Sequence, residues 1–226
     1  SGVGTHITGN GGAANGFDAT TTNNPSMFTF NNSLVNQSCG AAWEAVTNTS
    51  DVLSAGTPYR LFVRGDRTID LTDNNDPATT TTLKVTGDVY TGDYLPSISA
   101  HNGNFNFIGN PYQAVVDVTA LTYLGDVNSN FIYIWDPSFN SDGGFVTIET
   151  SNGTNNSGGL LDFDEFIQPG QAFFIRNNLT VTTTPSITFT ESSKNVDEIK
   201  TTTFSVDEIS LLNLQMNKIS ENGESL

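Results

Sequence analysis

Cysteine is nearly absent. Cys39 stands alone, so no internal disulfide can form, and stability must come from core size, sheet pairing or a bound metal. A packed small hydrophobe accounts for Cys39 more simply than a reactive nucleophile does. Basic residues are scarce too: 8 Lys and Arg face 24 Asp and Glu, for a net charge of -16. Between Lys84 and Arg176 there is neither lysine nor arginine, while that stretch holds Asp88, Asp93, Asp117, Asp126, Asp136, Asp142, Glu149, Asp162, Asp164 and Glu165. Such a field repels phosphate backbones and anionic membranes, which excludes nucleic acid as a partner. It would attract divalent cations or basic surfaces, although solubility alone explains it. Histidine is limited to His6 and His101, and no Gly-x-Ser-x-Gly elbow occurs, so nucleophilic catalysis has little to work with. No apolar run approaches membrane-spanning length, which argues against membrane insertion, and no signal peptide begins the chain. The opening Ser1-Gly2-Val3-Gly4 reads as the start of a mature or excised piece. At the other end, 211–219 reads as a strand and 221–224 as a turn whose returning strand is missing.

What remains is abundant in Asn, Thr, Ser and Gly, with 14% charged residues and 10% aromatics over 226 residues. That is the texture of an extracellular β-protein, and the recurrent aromatic and apolar runs exclude disorder. Short alternating runs predict strands at 27–30, 59–63, 82–85, 105–108, 131–135, 145–148, 172–175, 187–189 and 211–216. In 131–135, Phe131, Tyr133 and Trp135 share one face and Ile132 and Ile134 the other, which predicts a central strand buried on both sides. Asp142-Gly143-Gly144 then supplies the reversal of a hairpin. One or two helical turns are predicted at 118–124, opened by Asp117 and closed by Gly125. The expected fold is all-β: one antiparallel β-sandwich over residues 1–226, jelly-roll-like, with residues 1–40 rich in loops.

Candidate chemistry is sparse. His101 lies in a loop and His6 in Gly4-Thr5-His6-Ile7-Thr8-Gly9, where a structural hydrogen bond suffices for either. A glycosidase needs two carboxylates roughly 5–10 Å apart across a cleft, and with so many acids such pairs arise by chance. Calcium is the one cofactor the acidic loops suggest, through Asp73 with Asp76 or Asp162 with Asp164, although solvated turns explain both pairs. Asp126-x-Asn128-x-Asn130 opens like a calcium loop, then fails where glycine is required because Phe131 is there. Sugar binding would need exposed rings beside amides, for which Trp43, Tyr90, Tyr94 and Tyr112 are candidates. Arg60, Arg64 and Arg67 form a small basic cluster.

Three strings stand out: Phe105-Asn106-Phe107-Ile108-Gly109-Asn110-Pro111-Tyr112, then Tyr133-Ile134-Trp135-Asp136-Pro137, then Gln168-Pro169-Gly170-Gln171-Ala172-Phe173-Phe174-Ile175. With Gly4-Thr5-His6-Ile7-Thr8-Gly9, Asn15-Gly16-Phe17-Asp18 and 59–67, they make nearly the whole chain resemble a β-rich module of large secreted surface proteins of Bacteroidetes, especially flavobacteria. In that group the module often precedes a C-terminal sorting domain read by the type IX secretion system. The resemblance implies secretion and display at the outer cell surface, and carries no catalytic residues. The expected function is therefore non-catalytic: adhesion, ligand binding or structural display, with surface glycans or neighbouring copies as partners. The alternatives are a carbohydrate-binding accessory domain of a secreted hydrolase, or a fibre subunit assembled by strand exchange through 211–219.

Overall fold

A computed structural model describes residues 2–35, 37, 40–141, 143–158, 163–195 and 197. Cys39, Asp142, Asp162 and the strand expected at 211–219 lie outside them. Fifteen strands follow in chain order: β1 Gly2–Val3, β2 Met27–Phe30, β3 Trp43–Ala45, β4 Arg60–Leu61, β5 Thr81–Thr82, β6 Phe105–Gly109, β7 Val115–Asp117 and β8 Thr122–Leu124. Next come β9 Val127–Asp136, β10 Gly144–Glu149, β11 Thr154–Asn155, β12 Phe166–Ile167, β13 Ala172–Asn177, β14 Ser186–Thr188 and β15 Lys194–Asn195. Among the described residues the only helical pieces are 3-10 turns at Gly12–Asn15, Val118–Ala120 and Glu191–Ser193, and the fold is all-β.

A five-stranded antiparallel sheet, ordered β11-β10-β9-β13-β6, is the centre of the molecule. Alternation gives it one aliphatic face carrying Ile108, Ile132, Ile134, Val146, Ile148 and Ile175, with the ring of Phe173. These side chains join Tyr112, Val116, Ile167, Ile187 and Phe189 in one buried cluster. That cluster brings in the short sheets β12-β7-β15 and β14-β8, whose strands supply the opposing residues. Burial of each large aliphatic side chain contributes about 1.5–3 kcal/mol, so this layer accounts for most of the core. The sheet β3-β2-β4 touches the opposite face, and β1 pairs with β5 in parallel.

Two expectations need correction. The helical reading of 118–124 holds only for its first turn, where the Asp117 carboxylate accepts from Thr119 N–H at 2.8 Å. Thr122–Leu124 instead forms β8 against β14. Gly125 has φ +66, but it serves the β8–β9 reversal, where a Cβ would meet the Thr184 carbonyl at 2.1 Å. The second correction concerns 131–135. The strand is central and its isoleucines are buried, yet Phe131 and Trp135 on the other face are exposed.

Candidate binding face

The ring-bearing face of the five-stranded sheet follows from strand register. Trp135 stands opposite Phe145, Tyr133 opposite Thr147 and Phe131 opposite Glu149, while Tyr133 also faces Phe174, and Phe174 faces Phe107. These residues share one side of the pleat. Phe107 and Phe174 stack at 4.5 Å, and Phe30 and Trp43 from β2 and β3 close over them at 4.9 Å (Phe30 to Phe174) and 5.4 Å (Trp43 to Phe107). The β3-β2-β4 sheet therefore covers the β6–β13 half. On the β9–β10 half, Trp135 is 50% exposed, Phe145 43% and Phe131 37%.

Two of these exposed rings, Trp135 and Phe145, are held from behind. Trp135 meets Phe145 edge to face at 5.1 Å, and Phe145 meets the buried Phe174 at 5.5 Å. Gly143 is placed so that a Cβ would fall 2.5 Å from Trp135 Cζ2, so the indole leans on bare backbone. Thr147 and Glu149 stand on the same face as Phe145 by alternation. The Glu149 carboxylate accepts from Ser151 and Asn152 at 3.1 and 3.3 Å. The result is a firm apolar step with hydroxyl and carboxylate groups along one side.

The rings singled out in the sequence are placed differently. Trp43 lies half-buried beneath the Arg60 guanidinium, 4.1 Å from its ring. Tyr90, Tyr94 and Tyr112 come together, with centroids 5.6 Å (Tyr90–Tyr94) and 6.2 Å (Tyr90–Tyr112) apart. Tyr94 packs on Phe189, and its hydroxyl is shifted upward by burial, then by Tyr90. Tyr112 is fully buried and donates to the Gly92 carbonyl at 2.8 Å. Burial, then the charges of Glu191 and Asp93, push its hydroxyl up to about 12. All four rings make internal contacts.

The acidic candidates are occupied by local bonds. Asp73 caps Asn75 N–H at 2.8 Å, and Asp76 accepts from Asp70 N–H at 2.5 Å. The carbonyls of both accept from Arg64, which brings a cation to that loop from within the chain. Asp164 accepts from Phe166 N–H at 3.0 Å. Among the described residues no group of three His, Cys, Asp or Glu is arranged to hold a metal. The third arginine of the cluster is also paired within the chain. Arg67 grips Asp18 at 2.6 and 2.9 Å, and His6 Nδ1 sits 3.2 Å from the same carboxylate. His101 borders a shallow polar pocket with Val35, Ala100, Asn102 and Asn104, which supply neither carboxylate nor nucleophile.

The three strings are pins of the fold. Asn106 bonds Asn177 at 3.0 Å and receives Ser99 N–H at 2.6 Å, while Asn177 donates to the Ser99 and His101 carbonyls. Asn110 ties Ala114, Ile167 and Gln168, and Gln171 accepts from Gln168 N–H at 2.8 Å. Asp136, at the end of Tyr-Ile-Trp-Asp-Pro, binds the amide and hydroxyl of Ser138, both at 2.6 Å. Of these strings, the second also contributes a ring to the open face. No family model matches the chain, and no curated protein or solved structure matches it. The face must therefore be interpreted from its own chemistry. Phe145 and Phe131 escape a sequence reading because nothing local tells an exposed ring from a buried one on such a strand.

Proposed function

We propose that this chain is a non-catalytic binding module of a secreted, surface-displayed protein, and that it holds neutral glycan chains on the open half of its ring-bearing sheet face. The observation that carries this reading is the exposure of Trp135, Phe145 and Phe131 on a backbone fixed by pairing on both sides of β9. Sugar rings present apolar C–H faces ringed by hydroxyls. An aromatic step with Thr147 and Glu149 beside it complements both parts. The strong negative charge disfavours anionic glycans and acidic membranes, which leaves uncharged chains as the fitting ligand. No helix among the described residues is long and apolar enough to cross a membrane. Secretion and surface display rest on the sequence resemblance alone.

Retention on insoluble neutral polysaccharides (glucan, xylan and mannan), with an acidic polysaccharide as comparison, tests the assignment. Wild-type protein should be retained by at least one neutral polymer. Trp135→Ala combined with Phe145→Ala should abolish retention while the circular dichroism spectrum is kept. Retention unchanged in that variant, or none in the wild type on any neutral polymer, refutes the reading.

A further inference from the structure

The open rings of the central sheet lie in a line. Phe131, Tyr133 and Trp135 share one side of β9, because side chains alternate along a strand. Phe131 and Trp135 are exposed, and Tyr133 between them is half-buried, with the Phe105 ring edge-on at 5.5 Å. At about 3.3 Å per residue the row is about 13 Å long, more than a single sugar ring covers. Across the sheet the open surface is short. Trp135 and Phe145 stand 5.1 Å apart, β11 beyond them has only two residues, and on the other side Phe30 closes over Phe174 at 4.9 Å. The backbone beside Phe145 is open as well. Thr147 N–H donates to the Asn156 side chain at 2.9 Å, and the Thr147 carbonyl accepts from Asn156 N–H at 3.1 Å, so these groups point away from β9. Phe145 stands at the next alternate position and points its own peptide groups the same way, while β11 pairs only with Ile148 and Glu149. Among the described residues nothing meets the Phe145 N–H or carbonyl.

We propose, resting on the glycan-binding reading above, that the ligand is an extended β-linked chain of neutral sugars lying along β9, from Trp135 and Phe145 at one end to Phe131 at the other. An extended chain sets the C–H faces of successive sugars along a line, which fits rings set in a row. A coiled α-linked chain curves away from such a row and touches one end of it. Across the strands there is room for one sugar, so the long axis of the ligand follows β9. Polar groups run beside the row and suit the sugar hydroxyls. The Phe145 N–H and carbonyl offer a donor and an acceptor next to Trp135. Thr147 lies beside Tyr133 and Glu149 beside Phe131. The Glu149 carboxylate keeps acceptor sites beyond its bonds to Ser151 and Asn152. Affinity then grows with chain length until the row is filled, because each further sugar gains a ring.

Calorimetric titration with the disaccharide, tetrasaccharide and hexasaccharide of β-linked glucose, xylose and mannose, beside α-linked maltohexaose, tests the proposal. In at least one β-linked series affinity should rise about 10-fold or more from disaccharide to hexasaccharide. Maltohexaose should bind no better than that disaccharide. Phe131→Ala should lower hexasaccharide affinity about 3- to 10-fold, and leave the disaccharide affinity and the circular dichroism spectrum unchanged. Trp135→Ala should weaken both ligands. Equal affinity at every chain length, a hexasaccharide affinity untouched by Phe131→Ala, or a preference for maltohexaose overturns this inference and leaves glycan binding standing. No binding of any of these sugars, with no retention on any neutral polymer, refutes the glycan-binding reading itself and this inference with it.

Discussion

Replacing Asn110 should loosen the joint between the central sheet and the β12-β7-β15 layer. Its amide nitrogen donates to the carbonyls of Ala114, Ile167 and Gln168 at 2.8, 3.1 and 3.2 Å, and its oxygen accepts from Tyr112 N–H at 2.9 Å. Asn110→Ala removes all four bonds in a buried setting. The Gln168 carbonyl keeps the Gln171 N–H at 3.1 Å, so the cost falls mainly on the groups of Tyr112, Ala114 and Ile167. Each buried group left unsatisfied costs about 1–3 kcal/mol. Partial relaxation brings the expected total to about 3 kcal/mol, or a fall in Tm of about 6–12 °C in a domain of this size.

Asn110→Asp keeps the shape and reverses the polarity. An ionised carboxylate has no donor, so it would face three carbonyl oxygens. The introduced carboxyl must therefore stay protonated in the folded state, with a pKa above its unfolded value of about 3.9. The unfolded chain then loses this proton first as pH rises. The added destabilisation grows through the interval between the two pKa values and is complete above the folded one. A rise of two units would add about 2.7 kcal/mol at the alkaline end. Urea unfolding followed by tryptophan fluorescence at several pH values, with Asn110→Ala alongside, measures both quantities. The reasoning fails if Asn110→Ala loses under about 1 kcal/mol, or if the penalty of Asn110→Asp relative to wild type does not change with pH.

Three further predictions are simpler. Burial raises the pKa of Asp18, but Arg67, Ile7 N–H and His6 outweigh it and hold the carboxyl below its usual value. Its contribution, about 1 kcal/mol for a pair whose arginine is half exposed, is present above the unfolded pKa and lost as pH falls through the folded one. Between pH 5 and 3, urea titrations should show the wild type losing more stability than Asp18→Asn. Gly143→Ala places a Cβ 2.5 Å from Trp135 Cζ2 at a φ of +78. It should cost about 1 kcal/mol, shift tryptophan emission and weaken polysaccharide retention together. Ile132→Ala should cost about 2–5 kcal/mol as a core cavity. The adjacent Phe131→Ala should cost clearly less, and equal losses in thermal melts would contradict the difference in exposure.

Much of the strand pattern was legible from the chain. The run at 27–30 coincides with β2, and those at 105–108, 131–135, 145–148 and 172–175 each fall inside a longer strand. Period-2 alternation with turn residues at the ends is a local signal, and the strands obey it. The error at 118–124 has a local cause as well: Asp117 does cap a turn, but Thr122–Leu124 is claimed by β14, some sixty residues further on. Coverage of the ring face is not local at all. Whether Trp135 or Phe107 is buried depends on where Phe30 and Trp43 land, and no periodicity in 131–135 records that. The bonds from Gln37 and Asn32 to the backbone of β6 are equally remote, since Gln37 and Phe105 are 68 residues apart and Asn32 and Phe107 are 75 apart.

The same contacts separate the residues that fix this fold from those proposed to bind. Asn106, Asn110 and Gln171 direct their side-chain polar groups to buried partners, so changing them alters stability first. Asp126 belongs with them. Its carboxylate takes the amides and hydroxyls of Thr182 and Thr183, which hold it well below the usual carboxylate range. Side chains free to meet a ligand are the ones that the scaffold leaves half-covered, and on the central sheet these are Trp135, Phe145 and Phe131. Trp135 belongs to both groups, because it sits inside one of the strings and on the open face. A change of Trp135 to another ring should keep the fold and retune retention, whereas the same exchange at Phe174, enclosed by five other aromatic rings, should lower stability and leave the ligand preference unchanged.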